Sequence, residues 1–116
     1  IVDGAMNDLL RPSLYDAYHR VEVLDKTEDK SDCNVVGPVC ESGDFFAKNI
    51  QLAKTEHNDL IAIHSAGAYG FTMASNYNTR GKVAEIAIED GKDRLIRRRE
   101  VFEDLVALEE EYLLNK

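Results

Sequence analysis

The chain has 116 residues, 44% hydrophobic and 31% charged, which is the size and composition of one globular domain able to bury a core. A formal net charge of −8 argues against a surface built to grip a nucleic-acid backbone. No apolar run reaches membrane-spanning length and no signal-peptide pattern is present, so no membrane role is expected.

Ile1-Val2 reads as the end of a strand with no initiator Met ahead of it, so the sequence is expected to be the carboxy-terminal piece of something longer. Asn7-Asp8 offers capping side chains, and residues 9–19 carry helical spacing through Leu14, Tyr15 and Tyr18, with Pro12 tolerable in a first turn. Arg11 and Tyr15, four apart, then share one helix face. Residues 20–24 alternate as a strand, with Val21 and Val23 on one side; 26–32 is a charged loop; 34–39 is a second strand. Gly37-Pro38 punctuates it, and Ser42-Gly43-Asp44 is a turn signal. Residues 44–56 fit neither period, because Phe45, Phe46, Ile50 and Leu52 fall irregularly; a short turn or helical piece is expected there.

Residues 60–65 read as a buried strand running into Ala66-Gly67-Ala68-Tyr69-Gly70, where two glycines beside Tyr69 suggest a sharp bend or a close approach to a ligand. Residues 72–81 are polar and turn-rich. Residues 82–89 and 93–98 form a hairpin around Asp90-Gly91. From Arg99 the pattern turns helical, with Val101, Phe102, Leu105, Val106 and Leu108 as an apolar stripe and Leu113-Leu114 closing the chain. Arg97-Arg98-Arg99 is flanked by Glu100, Glu103 and Asp104 and reads as a paired, solvated face.

The chemistry is expected on residues 37–44, Gly-Pro-Val-Cys-Glu-Ser-Gly-Asp, which deliver the Cys40 thiol and the Glu41 and Asp44 carboxylates on a turn held by a scaffold. Each candidate also has a plain reading: Cys40 as a small buried hydrophobe, Glu41 as a solvated acid, Tyr69 as a ring over a tight turn, Arg11 and Tyr15 as a surface cation and a core aromatic. Cys33 and Cys40 read as free thiols of a cytoplasmic protein. His19, His57 and His64 lack metal-ligand spacing with them, and no metal is expected.

Four motifs in one order are more specific than any of these alone: 2–9 (Val-Asp-Gly-Ala-Met-Asn-Asp-Leu), 11–19 (Arg-Pro-Ser-Leu-Tyr-Asp-Ala-Tyr-His), 37–44, and 65–70 (Ser-Ala-Gly-Ala-Tyr-Gly). With 76–80 and 95–100 they make the chain resemble the carboxy-terminal part of the diaminopimelate decarboxylase family. The resemblance implies a mainly β fold, a sandwich or open Greek-key barrel with short flanking helices. That domain would be the second of a pyridoxal 5'-phosphate enzyme whose amino-terminal (β/α)8 barrel holds the cofactor. Residues 1–19 would be the end of the barrel connection and 20–116 the β-domain with its terminal helix.

The resemblance further implies meso-diaminopimelate as substrate, L-lysine and CO2 as products, and a homodimer in which the 37–44 turn reaches the partner's barrel. By resemblance Cys40 is the proton donor; Arg11, Tyr15, Glu41 and Tyr69 bind substrate, and Tyr69 also touches the cofactor. The residue types suit those tasks. A thiol, largely protonated at neutral pH, can give a proton and recover it from solvent; an Arg with a Tyr hydroxyl can hold a carboxylate; a Glu can accept from an ammonium. Gly81-Lys82 departs from the family's proline-containing pair. An ornithine- or arginine-type decarboxylase of the same fold, or a non-catalytic binding module, are the alternatives; without its barrel this piece is expected to be inactive.

Overall fold

A computed structural model describes residues 1–113. The elements in order are α1 (Arg11–Tyr15), β1 (Val21–Val23), β2 (Lys30–Val36), β3 (Phe45–Ala53), β4 (Ile61–Ile63), α2 (Gly70–Met73), a single 3-10 turn (Tyr77–Thr79), β5 (Glu85–Glu89), β6 (Lys92–Arg97) and α3 (Phe102–Leu113). The protein is mainly β, as expected. Rather than one continuous sandwich, the described strands form three two-stranded antiparallel sheets, β1 with β4, β2 with β3 and β5 with β6. The chain divides into two compact units, Ile1–Ala74 and Ser75–Lys116.

The core lies in the first unit. Leu9, Val23, Val35, Phe46, Leu52 and Ala53 are buried together, with Val2, Val21, Ile61 and Ile63 packed around them, and α1 and β1 both lie against β3. Burial of such side chains contributes about 1.5–3 kcal/mol each, which is why short strands with few ladder bonds hold.

β3 is the chief departure from the sequence expectation: residues 44–56 hold the longest strand, not a turn or helical piece. The register explains the miss. Cys33 pairs with Ile50, Val35 with Ala47 and Val36 with Phe45, so nine residues of β3 face seven of β2 and two extra residues bulge from the ladder. Asn49 adopts φ 52° within this irregularity, and its N–H is taken by the Asn34 side-chain oxygen at 2.8 Å. Each extra residue shifts the alternation, so no single period fits.

Helix α1 is also shorter than the 9–19 expected. Asp16 turns left-handed at φ 61°, its N–H closing on the Arg11 and Pro12 carbonyls, and Tyr18 is left exposed. Asp8 does not cap α1; its carboxylate accepts the Ala5 N–H at 2.9 Å in the preceding turn. Lys30 and Ser31, expected in a loop, begin β2, and β4 is half-buried rather than buried.

In the second unit, Asp90 and Gly91 both take positive φ, 50° and 73°, the two-residue turn their sequence implies. The loop at Gly81-Lys82 is held by Glu100, whose carboxylate accepts the Lys82 N–H at 2.8 Å and an Asn76 amide hydrogen at 2.7 Å. A Cβ at Gly81 would come within 2.8 Å of the Glu100 carbonyl oxygen, so a side chain is excluded there. Of the expected stripe on α3, Leu105 and Val106 are half-buried, while Val101, Phe102 and Leu108 are exposed. Leu114 lies outside the described residues. Asp104, in the first turn of α3, accepts the Val101 N–H at 2.8 Å and both terminal nitrogens of Arg98 at 2.6 and 2.7 Å.

Two outcomes follow. Phe46→Ala removes a ring at the centre of the first unit and is expected to cost about 3–5 kcal/mol in denaturant unfolding. Arg98, then the Val101 N–H, hold the Asp104 carboxyl well below the usual carboxylate range. Its contribution to α3 is therefore complete above the unfolded-state value of about 3.9 and is lost as pH falls below it toward the depressed folded value. Far-ultraviolet circular dichroism should show acid fraying of α3 in the native sequence, and Asp104→Asn should show the frayed signal at neutral pH as well.

Candidate active site

Three of the five expected site residues meet. The Arg11 Nε–H donates to the Tyr15 hydroxyl oxygen at 2.6 Å, one turn along α1. The guanidinium carbon lies 5.6 Å from the centre of the Tyr15 ring and 5.9 Å from that of Tyr69. A cation within reach of two aromatic rings is held electrostatically as well as by its hydrogen bond. The arrangement orients the terminal nitrogens of Arg11, the pair suited to a carboxylate.

Tyr69 reaches Arg11 from a left-handed backbone, φ 62°, immediately before α2, with its side chain 65% exposed. The sharp bend expected at the neighbouring glycines falls on Tyr69 itself and on Ser65, φ 56°. Positive φ at an aromatic residue is costly and persists only where the surroundings enforce it. A Cβ at Gly67 or Gly70 would meet no heavy atom within 4 Å, which leaves room beside the Tyr69 ring for another group to approach.

Cys40 and Glu41 sit on the adjacent turn, both exposed. The plain reading of Cys40 as a buried hydrophobe therefore does not hold. Glu41 accepts the Gly43 N–H at 3.1 Å, and the Ser13 hydroxyl of α1 donates to the Gly43 carbonyl at 2.7 Å, joining the turn to the helix that carries Arg11 and Tyr15. The turn thus neighbours the Arg11 cluster without being part of it.

Sequence reasoning placed Asp44 on this turn but missed what it does there. Asp44 is 4% exposed, and its carboxylate accepts the Met6 N–H at 2.7 Å and the Val39 N–H at 2.9 Å. Its backbone closes the turn on both sides, the carbonyl accepting from Gly37 N–H at 3.0 Å and the N–H donating to Glu41 at 3.1 Å. A Cβ at Gly37 would lie 2.7 Å from the Asp44 Cγ, so that glycine exists to make room for the carboxylate.

The polar network behind the Tyr69 loop was also missed. His64 donates from Nε2 to Glu22 at 2.9 Å and accepts at Nδ1 from Arg20 at 3.2 Å, while buried His19 donates from Nδ1 to the His64 carbonyl at 3.0 Å. The His64 hydrogen bond, with Arg20, holds the Glu22 carboxyl below its usual range. The alternation of Arg20 and Glu22 was the available signal; their partner His64, just after β4, was not. Among the described residues no group of three or more His, Cys, Asp or Glu side chains is arranged to hold a metal ion, and no helix is long and apolar enough to cross a membrane.

Residues 1–67 match the family described as "Pyridoxal-dependent decarboxylase, C-terminal sheet domain". Proteins named diaminopimelate decarboxylase from Campylobacter jejuni and Helicobacter pylori are 58% and 56% identical over 113 and 115 residues, 97% of this chain in each case. The chain spans 28% of the length of both relatives. A crystal structure of the Helicobacter pylori diaminopimelate decarboxylase complexed with L-lysine superposes with a TM-score of 0.89 at 55% identity, covering 96% of this chain and 28% of that one. A corresponding structure from M. jannaschii, also with L-lysine, gives 0.88 at 39% identity over 92% of this chain and 25% of that one. The chain belongs to the pyridoxal-dependent decarboxylases, as their carboxy-terminal sheet domain.

Proposed function

We propose that this chain is the carboxy-terminal part of an enzyme that decarboxylates meso-2,6-diaminopimelate to L-lysine and CO2, and that it supplies the proton donor and substrate contacts. The observation that carries the reading is the Arg11 guanidinium set between Tyr15 and Tyr69. Meso-diaminopimelate has an ammonium and a carboxylate at each end, and the end that does not react keeps both. Arg11 offers its terminal nitrogens to that carboxylate in its own subunit's site, and Glu41 offers its carboxylate to the ammonium of the substrate in the partner subunit's site. L-lysine, carried by the related structures, is the molecule left when one carboxylate departs from meso-diaminopimelate. Ornithine and arginine have no distal carboxylate to match Arg11.

Pyridoxal 5'-phosphate, when bound, takes up the electron pair released as the bond to CO2 breaks. On this reading the cofactor is held mainly by an amino-terminal barrel, with residues 1–19 as the connection to it. The exposed Tyr69 phenol, beside the open space at Gly67 and Gly70, fits a contact to it.

The Cys40 thiol then gives its proton to the carbon that lost CO2, forming the new C–H bond, and the thiolate regains a proton from solvent. Exposure of Cys40 on a turn suits a group that reaches into a site completed by a second subunit of a homodimer. Free thiols at Cys33 and Cys40 support a cytoplasmic enzyme.

The full-length protein should release CO2 from meso-diaminopimelate; release from ornithine or arginine alone would overturn the substrate assignment. Cys40→Ala is expected to lower kcat by about 10²–10⁴-fold with little change in cofactor content, measured by absorbance. Arg11→Ala should raise KM for meso-diaminopimelate by at least about tenfold, equivalent to about 1.4 kcal/mol. Its residual turnover should no longer depend on the distal carboxylate, checked with a substrate analogue lacking that group.

A further inference from the structure

We infer that Asp44 is the positioning residue for the proton donor, acting through Cys40 rather than touching substrate. The inference rests on the reading of Cys40 above and extends it to a residue with no assigned role.

One residue clamps the turn at both ends. The Asp44 carboxylate takes the N–H of Val39, the residue before Cys40, and the Asp44 N–H goes to the carbonyl of Glu41, the residue after it. The second carboxylate oxygen takes the Met6 N–H, so the turn is fixed to the first residues of the core-forming unit as well as to itself. A cysteine side chain has a single torsion between its backbone and its sulfur, so fixing residues 39–41 confines Sγ to a few discrete places. Proton transfer demands contact to within a few tenths of an ångström of a working distance, and a misplacement of about 1 Å costs about 10²-fold in rate.

A simple turn-former does not need this design. Asp44 is 4% exposed and receives two backbone donors from separate segments, while Gly37 lacks a side chain at the point its carboxylate occupies. Only a group that accepts at both oxygens satisfies both donors. Asparagine, the same shape, turns an N–H₂ toward one of them and leaves a buried donor unmet.

The test is a double-mutant cycle in the full-length, cofactor-loaded enzyme, with meso-diaminopimelate as substrate. Asp44→Asn is expected to lower kcat at saturating substrate about 10–100-fold while cofactor content changes less than about threefold. In a Cys40→Ala background the same change should cost less than about twofold, because the group it positions is already gone. An equal loss of kcat in both backgrounds overturns the positioning role and leaves Cys40 as donor. A Cys40→Ala enzyme as fast as the native one overturns both. Should Asp44→Asn fail to accumulate, Gly37→Ala crowds the same carboxylate without removing it and serves in the same cycle, with the same outcomes deciding.

Discussion

Two backbone N–H groups from distant parts of the chain, at Met6 and Val39, converge on one buried carboxylate, and the geometry around the candidate site depends on that convergence. A carboxylate that accepts two hydrogen bonds away from water is strongly held, and an N–H left without it would be costly. The motif at 2–9 and the motif at 37–44 are therefore parts of one structure. The first supplies a donor and core residues Ala5 and Leu9; the second supplies the acceptor and the turn. Ser13 adds a third tie, from α1 to Gly43.

The candidate groups differ in how they are held. Arg11 is restrained by two residues, Tyr15 through a hydrogen bond and its ring, and Tyr69 through its ring. Cys40 and Glu41 are exposed on a turn whose ends are fixed but whose tip is open to whatever faces it. A restrained cation on a helix and an open tip on a pinned turn are two different degrees of order within one unit.

Much of this was legible from residue order. The pairing of Arg11 with Tyr15 followed from helical spacing, the β5–β6 hairpin from Asp90-Gly91, and the turn at 42–44 from Ser42-Gly43-Asp44. What was hidden depended on contacts across sequence. Asp44 looked like a turn residue because nothing local shows that its carboxylate is buried against Met6 thirty-eight positions away. Similarly, Gly37 looked like punctuation, although its lack of a Cβ is a packing requirement. His64 was read only for metal-ligand spacing, because its partners Arg20 and Glu22 lie more than forty positions away. Tyr69 drew attention through its glycines, yet the unusual torsion belongs to the tyrosine.

The two bulges of β3 carry a consequence for how this strand tolerates change. One bulge falls at Lys48-Asn49, between the Cys33–Ile50 and Val35–Ala47 pairs, and the other leaves Phe46 outside the ladder, between Val35–Ala47 and Val36–Phe45, so a core side chain stands on one extra residue while exposed Lys48 and Asn49 occupy the other bulge. Loss of the Lys48-Asn49 bulge would turn residues 45–47 over relative to residues 50–53, and loss of the other would take Phe46 out of the core.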